Sequence, residues 1–237
     1  MTRLSVNINK IALIRNSRSG NLPNLIQVAK NCERFGADGI TVHPRPDQRH
    51  IRYSDIPLLK ELVQTEFNIE GYPSSDFLKL VIDNRPDQVT LVPDAPDVLT
   101  SESGWDIISN KNQLIEVIQQ LKEYGIRVSL FLDPIPEMVF ATKEVGADRI
   151  ELYTGKYALN YHKDKHNAIE DHLKSAIAAQ HCKLGINAGH DLNLDNLKYY
   201  KTMIAGLLEV SIGHALVCDA IYYGLENVIP MYKNLLK

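Results

Sequence analysis

The 237-residue sequence predicts an α/β fold of the (β/α)8 TIM-barrel class with additional helices, in one domain covering residues 1–237. Three observations carry that expectation. Short β-branched runs alternate with amphipathic segments along the chain, which calls for parallel strands joined by helical crossovers. There are eight such runs, and their starts are roughly 20 to 40 residues apart, as βαβ units require. The first run is followed by Asn7-Ile8-Asn9-Lys10, which lacks the glycine-rich fingerprint of an open, dinucleotide-binding sheet.

In chain order the predicted strands are residues 4–8, 39–43, 68–70, 88–92, 127–131, 149–152, 184–187 and 209–212. Between them, residues 25–35, 111–124 and 166–180 place apolar side chains at i, i+3, i+4 spacing and predict helices. Phe35-Gly36-Ala37-Asp38-Gly39-Ile40 and Val145-Gly146-Ala147-Asp148-Arg149-Ile150 echo each other as helix end, glycine turn and strand start. Glycine suits a left-handed helix cap, so both mark loops at the barrel bottom, and Tyr124-Gly125-Ile126 repeats the device. Two segments exceed a barrel's minimum. Residues 93–110, rich in Pro, Asp, Ser and Thr, suggest a lid, and residues 153–165 suggest a polar, mobile loop. Residues 225–236 predict one more helix, covering the barrel bottom or serving an oligomer contact.

Composition narrows the class. With 44% hydrophobic residues the chain can bury a large core without disulfides or metal. Its 26 basic and 29 acidic residues are scattered and sum to −3, which argues against nucleic-acid and membrane-surface partners. Cys32, Cys182 and Cys218 are far apart and odd in number, as expected of free thiols in a reducing compartment. The polar N-terminus does not read as a signal peptide, and no apolar run approaches the ~20 residues of a membrane span. These features predict a cytoplasmic protein.

Catalytic groups of this fold come from the C-terminal ends of its strands. Those ends carry Asn7 and Asn9, His43 and Arg45, Glu70, Asp133, Glu151, His190 and Gly213-His214 in turn. Arg45, Arg49 and His50 lie on a proline-stiffened loop and are suited to bind phosphate or carboxylate. Glu70 and Glu151, held in a barrel mouth, would have their pKa raised by desolvation and so suit acid–base work. Gly189-His190 and Gly213-His214 each place a Gly-His step between strand and helix. Glycine permits close backbone approach to a ligand, and loops after strands seven and eight form the recurrent phosphate site of the fold.

Taken together these strings resemble the pyridoxine 5′-phosphate synthase family. The matching stretches include Val6-Asn7-Ile8-Asn9, Arg15-Asn16-Ser17-Arg18, Gly36-Ala37-Asp38-Gly39-Ile40-Thr41-Val42-His43, Asn187-Ala188-Gly189-His190 and Ile212-Gly213-His214-Ala215. They run from the first strand to the last. The resemblance implies condensation of 1-deoxy-D-xylulose 5-phosphate with 3-amino-2-oxopropyl phosphate, and assembly into a homo-octamer. It implies that His43 and Glu70 are general bases, His190 a general acid, and Glu151 a transition-state stabiliser. It assigns Asn7, Arg18, Gly213 and His214 to the aminoketone phosphate, and Arg45, His50 and Thr100 to the deoxyxylulose phosphate. Such ring formation moves protons at every step and calls for tuned acids and bases, with no metal or redox cofactor.

Three positions depart from the family pattern. Asn9 and Lys10 replace a common Asp-His, and Asp191 stands where glycine is frequent. Asparagine still hydrogen-bonds a substrate hydroxyl but takes no proton, lysine is a fixed donor, and a carboxylate at 191 turned inward would repel phosphate. Two other enzyme classes fit the scaffold: a phosphosugar aldolase or isomerase, the aldolase forming its Schiff base at Lys10, and a metal hydrolase using His43, His190 and His214. The barrel could also serve as a binding or scaffold subunit, but that leaves the crowded polar rim without a purpose.

Overall fold

The computed structural model describes residues 1–94 and 103–237. Eight parallel strands close in sequence order, β1 (Arg3–Asn7), β2 (Gly39–Val42), β3 (Glu66–Gly71), β4 (Gln88–Leu91), β5 (Arg127–Leu132), β6 (Arg149–Leu152), β7 (Gly185–Ala188) and β8 (Leu207–Ile212), with β8 pairing back to β1. Around them lie α1 (Asn9–Asn16), α2 (Leu25–Arg34), α3 (Asp55–Leu62), α4 (Ser75–Asn84), α5 (Lys111–Glu123), α6 (Pro136–Glu144), α7 (Gly155–His181), α8 (Leu197–Met203), α9 (His214–Tyr223) and α10 (Leu225–Leu235). No helix among the described residues is long and apolar enough to cross a membrane. The apolar core lies between strands and helices, where Leu4, Ile40, Ile69, Val89, Leu130, Ile150, Ile186 and Val210 are all buried.

The glycine turns behave as expected: Gly36, Gly125 and Gly146 have φ of 105°, 73° and 84°. The aspartates beside them have a shared structural use that the repeat hinted at. Asp38 and Asp148 accept the backbone N–H of Leu4 and Val128, each on the preceding strand, and Asp87 does the same for Phe67. Each carboxylate thereby ties the start of an even-numbered strand to its odd-numbered neighbour. Helix α10 covers this end, packing on α2, α8, α9 and β1, with Lys233 paired to Asp38.

Two expectations are corrected. Residues 153–165 do not form a mobile loop, because α7 begins at Gly155. Buried Tyr157 packs against Tyr161, His172 and Tyr200, and the helix kinks at Asp164, whose carboxylate caps the following turn by accepting from His166 and Asn167 N–H. The third strand runs from Glu66 rather than Asn68. Its charged start is accommodated inside the barrel, where Glu66 meets Arg3, Arg127 and Arg149, and Arg3 also reaches Glu209 at 3.5 Å. Above this ionic layer Ser5, Thr41, Asn68 and Thr90 form a chain of hydrogen bonds across β1 to β4. The barrel interior is polar from its base upward.

Of the expected lid, residues 95–102 lie outside the described residues, Thr100 among them. The described end is anchored: Trp105 donates through its indole to Leu91 O and through its backbone to Phe131 O. Asp133, expected at the catalytic rim, instead accepts the Gly104 N–H at 2.9 Å.

Candidate active site

A cleft of about 580 Å³ opens at the C-terminal ends of the strands. It collects Asn7, Asn9, Lys10, His43, Arg45, His50, Glu70, Glu151, His190, Asp191, Gly213 and His214. Arg18 is exposed on the turn after α1 and is not part of that lining.

Its first wall is built from β1 and β2. Asn7 Oδ1 accepts the Asn9 N–H, and Asn9 Oδ1 accepts the His43 N–H at 2.9 Å. Asparagine 9 therefore fixes the backbone of a catalytic candidate, a task that needs an acceptor and no ionisation. Asn7 also donates to Glu70 at 3.4 Å. His43 Nδ1 lies 3.9 Å from Glu70 Oε2. Burial first, then Arg45, His50 and Arg49, hold His43 well below the usual histidine value. Burial raises the Glu70 carboxyl from 4.5 to about 8, opposed by Arg45 and reinforced by Asp94 and Glu209. Near neutrality a neutral imidazole thus faces a protonated carboxyl.

Glu151 is also raised to about 8, by burial and then by Glu70, with His190 and the Thr90 hydroxyl acting against the rise. Beside these groups sit Phe131 and Tyr153, whose rings are tilted at 52° with centroids 5.5 Å apart, and Tyr153 meets the His190 ring edge-on at 5.2 Å. Thr90, Phe131, Tyr153 and Ser211 line the cleft and were not singled out by the sequence reading. Thr90 and Ser211 had a signal. They continue the every-second-residue polar pattern of Gln88-Thr90 and Glu209-Ser211 that points into the barrel.

The Arg45–His50 loop is clamped from α1. Arg15 makes a two-pronged pair with Asp55 at 2.8 and 2.9 Å and donates to His50 O. Asn16 donates to His50 O at 2.7 Å and to Arg49 O at 3.1 Å. Arg45 itself pairs with Asp94 at 3.1 Å, both side chains nearly buried. His50 is not the charged donor it resembled in the sequence. Its Nδ1 accepts the Ile51 N–H, and burial, with Arg45 and Arg49, lowers it to about 4. It presents a neutral Nε2–H.

Opposite, α9 starts at His214 with Gly213 as its cap, so its unsatisfied first amides open on the cleft. The two Gly-His glycines are explained by packing. A Cβ at Gly189 would stand 2.1 Å from Ser211 O, and one at Gly213 would stand 3.1 Å from Asn7 Cβ. Among the described residues no group of three His, Cys, Asp or Glu side chains is arranged to hold a metal ion.

A closed parallel barrel with neutral acids and bases converging at its mouth, flanked by guanidinium groups and a helix amino terminus, defines a (β/α)8 enzyme of acid–base chemistry. The chain belongs to the family described as pyridoxal phosphate biosynthesis protein PdxJ, whose family model matches residues 4–237. It is 59% identical to the pyridoxine 5′-phosphate synthase of Cytophaga hutchinsonii and 56% identical to that of Flavobacterium johnsoniae, in each case over 237 residues and the full length of both chains. Among solved structures it is similar to the phosphoribosylanthranilate isomerases of Thermotoga maritima (TM-score 0.60) and Pyrococcus furiosus (TM-score 0.62). Each is 13% identical and is matched over 100% of this chain and 98% of the other. That likeness shows the barrel alone.

Proposed function

We propose that this protein is a pyridoxine 5′-phosphate synthase, forming pyridoxine 5′-phosphate, inorganic phosphate and water from 1-deoxy-D-xylulose 5-phosphate and 3-amino-2-oxopropyl phosphate. The observation that carries the reading is the pairing of two carboxyls at about 8, Glu70 and Glu151, with the neutral His43 in one cleft. Carboxyls so tuned exchange protons in both directions near the working pH, as imine formation, dehydration and enolisation require. His43 acts as a base, Glu70 as a base once it has passed its resting proton to a substrate oxygen, His190 as acid, and Glu151 stabilises charge. Phosphate is held at two ends of the cleft, by Arg45 and the neutral His50 at one and by the α9 amino terminus with Asn7 and His214 at the other.

The whole chain serves as one catalytic domain in the cytoplasm, as part of a homo-octamer. Exposed Ile221, Tyr222 and Tyr223 at the end of α9, next to exposed Leu13 and Ile14 on α1, support assembly. Arg18, outside the cleft of its own chain, then serves the aminoketone phosphate of a neighbouring copy. The test is direct: the two phosphorylated ketones are mixed with purified protein, and pyridoxine 5′-phosphate is sought by absorbance and mass. Its absence with folded protein refutes the reading. Glu70→Gln and His190→Asn are expected to abolish turnover and keep the fold, and unchanged rates in both would remove these residues from the mechanism.

A further inference from the structure

Asp191 takes φ 65°, the left-handed conformation that glycine adopts freely and other side chains adopt at a cost. It stands at the cleft lining directly after His190. Its carboxylate Oδ2 lies 3.0 Å from His190 Nδ1. The backbone that sets this geometry is held from both sides. Thr154 Oγ1, just before α7, donates to His190 O at 2.5 Å, and Asn196 Nδ2, just before α8, donates to Asp191 O at 3.3 Å. Gly189 locks the approach to the pair against Ser211 O. A left-handed aspartate fixed in this way aims one particular oxygen at one particular ring nitrogen.

The charged and titratable groups around the pair come from three elements and the loop after β6. Glu151 of β6 acts on His190, while Lys10 of α1 and His214 of α9 act on Asp191, and the Tyr153 ring lies against the imidazole. His190, then His214 and Lys10, hold the Asp191 carboxyl below its usual range, so it is ionised at any working pH. Lys10, another departure from the family pattern, supplies a positive charge that offsets the carboxylate.

We propose that Asp191 is a positioning residue for His190: its carboxylate accepts the Nδ1–H, fixing the ring's tautomer and orientation so that Nε2 faces the substrates, while Lys10 and His214 screen its charge from the phosphate end of the cleft. The inference rests on the synthase reading for the role of His190 as general acid. It follows the general rule that an acid–base histidine is oriented through the bond made by its other nitrogen.

Asp191→Asn and Asp191→Gly both suit a left-handed backbone, so neither strains the fold. Each is expected to lower kcat about tenfold, the scale of a lost orienting contact, with KM for both substrates nearly unchanged. A lower KM with kcat unchanged would mean that Asp191 only repels phosphate, and would overturn the proposal. So would a kcat unchanged in both variants. A readout independent of turnover separates this inference from the synthase reading. In protein carrying isotope-labelled histidine, the His190 ring nitrogens, assigned by their loss in His190→Gln, report the tautomer at mildly alkaline pH. A single Nδ1–H form that becomes a mixture in Asp191→Asn supports the pair, whatever product the enzyme makes, and an identical tautomer in both proteins overturns it.

Discussion

Replacing Glu70 by glutamine should destroy turnover and stabilise the protein, and the size of the gain should depend on pH in a defined direction. Burial lifts this carboxyl from 4.5 to about 8. Below about pH 4.5 it is protonated both in the native and in the unfolded chain and contributes no difference. Between that point and about pH 8 the unfolded chain releases a proton that the native state keeps, so stability falls as pH rises, and above about pH 8 the loss is complete. A displacement of that size corresponds to about 5 kcal/mol for a group standing alone. Glu70 shares its field with Glu151 and Glu209, so one substitution recovers only part of it, about 2 kcal/mol. For a chain of this length that is about 5 °C in Tm. Glutamine keeps the shape and can still accept from Asn7. The assay is thermal unfolding of wild type and variant at about pH 5 and about pH 8.5, with the gain expected at the upper pH and nearly absent at the lower. A variant no more stable than wild type at the upper pH, or an equal difference at both, refutes the claim that the carboxyl is held neutral by burial.

Arg15→Met leaves the buried Asp55 without the guanidinium that makes two bonds to it, and should cost about 3 kcal/mol or more; a chemical denaturation midpoint within error of wild type would count against it. Asn16→Ala removes donors to the carbonyls of Arg49 and His50 without touching the core, so KM for the deoxyxylulose phosphate should rise severalfold while kcat and Tm hold. A kcat loss with unchanged KM would place the role elsewhere. Gly189→Ala drives a Cβ into Ser211 O at 2.1 Å, a backbone atom that cannot swing away, and should lower stability by about 3 kcal/mol or more. Near-wild-type unfolding would show that β7 and β8 can separate there.

The barrel was legible in the sequence because its punctuation is physical. Gly36, Gly125 and Gly146 mark turns that need positive φ, and each precedes a β-branched run. The strand ends could be read for the same reason, and twelve of the proposed site residues meet in one cleft. What escaped was governed by contacts distant in sequence. Residues 153–165 look polar, yet Tyr157 finds its partners in His172 and Tyr200. The ionic layer of Arg3, Glu66, Arg127, Arg149 and Glu209 brings together five strands, so no local window contains it. His50 looked like a cationic phosphate ligand, and only the fold shows its Nδ1 turned to the Ile51 amide.

Charge placement in the cleft ties the acid–base reading to the two-phosphate reading. Two ionised carboxylates at Glu70 and Glu151 would repel substrates that each carry a phosphate. The burial that lifts both to about 8 removes that repulsion and supplies the proton-exchanging groups at once. The cations at the rim are meanwhile balanced by carboxylates, Arg45 by Asp94 and Arg49 by Asp47 in direct pairs, and Lys10 by Asp191 at longer range. A phosphate arriving at the Arg45 end therefore competes with Asp94 for the guanidinium. Such competition weakens binding but lets phosphate leave, which suits an enzyme that must release inorganic phosphate in every turnover. Asp94→Asn should accordingly tighten inhibition by inorganic phosphate and slow release, seen as a lower Ki together with a lower kcat. A higher Ki would mean that Asp94 instead holds Arg45 in the orientation that phosphate needs.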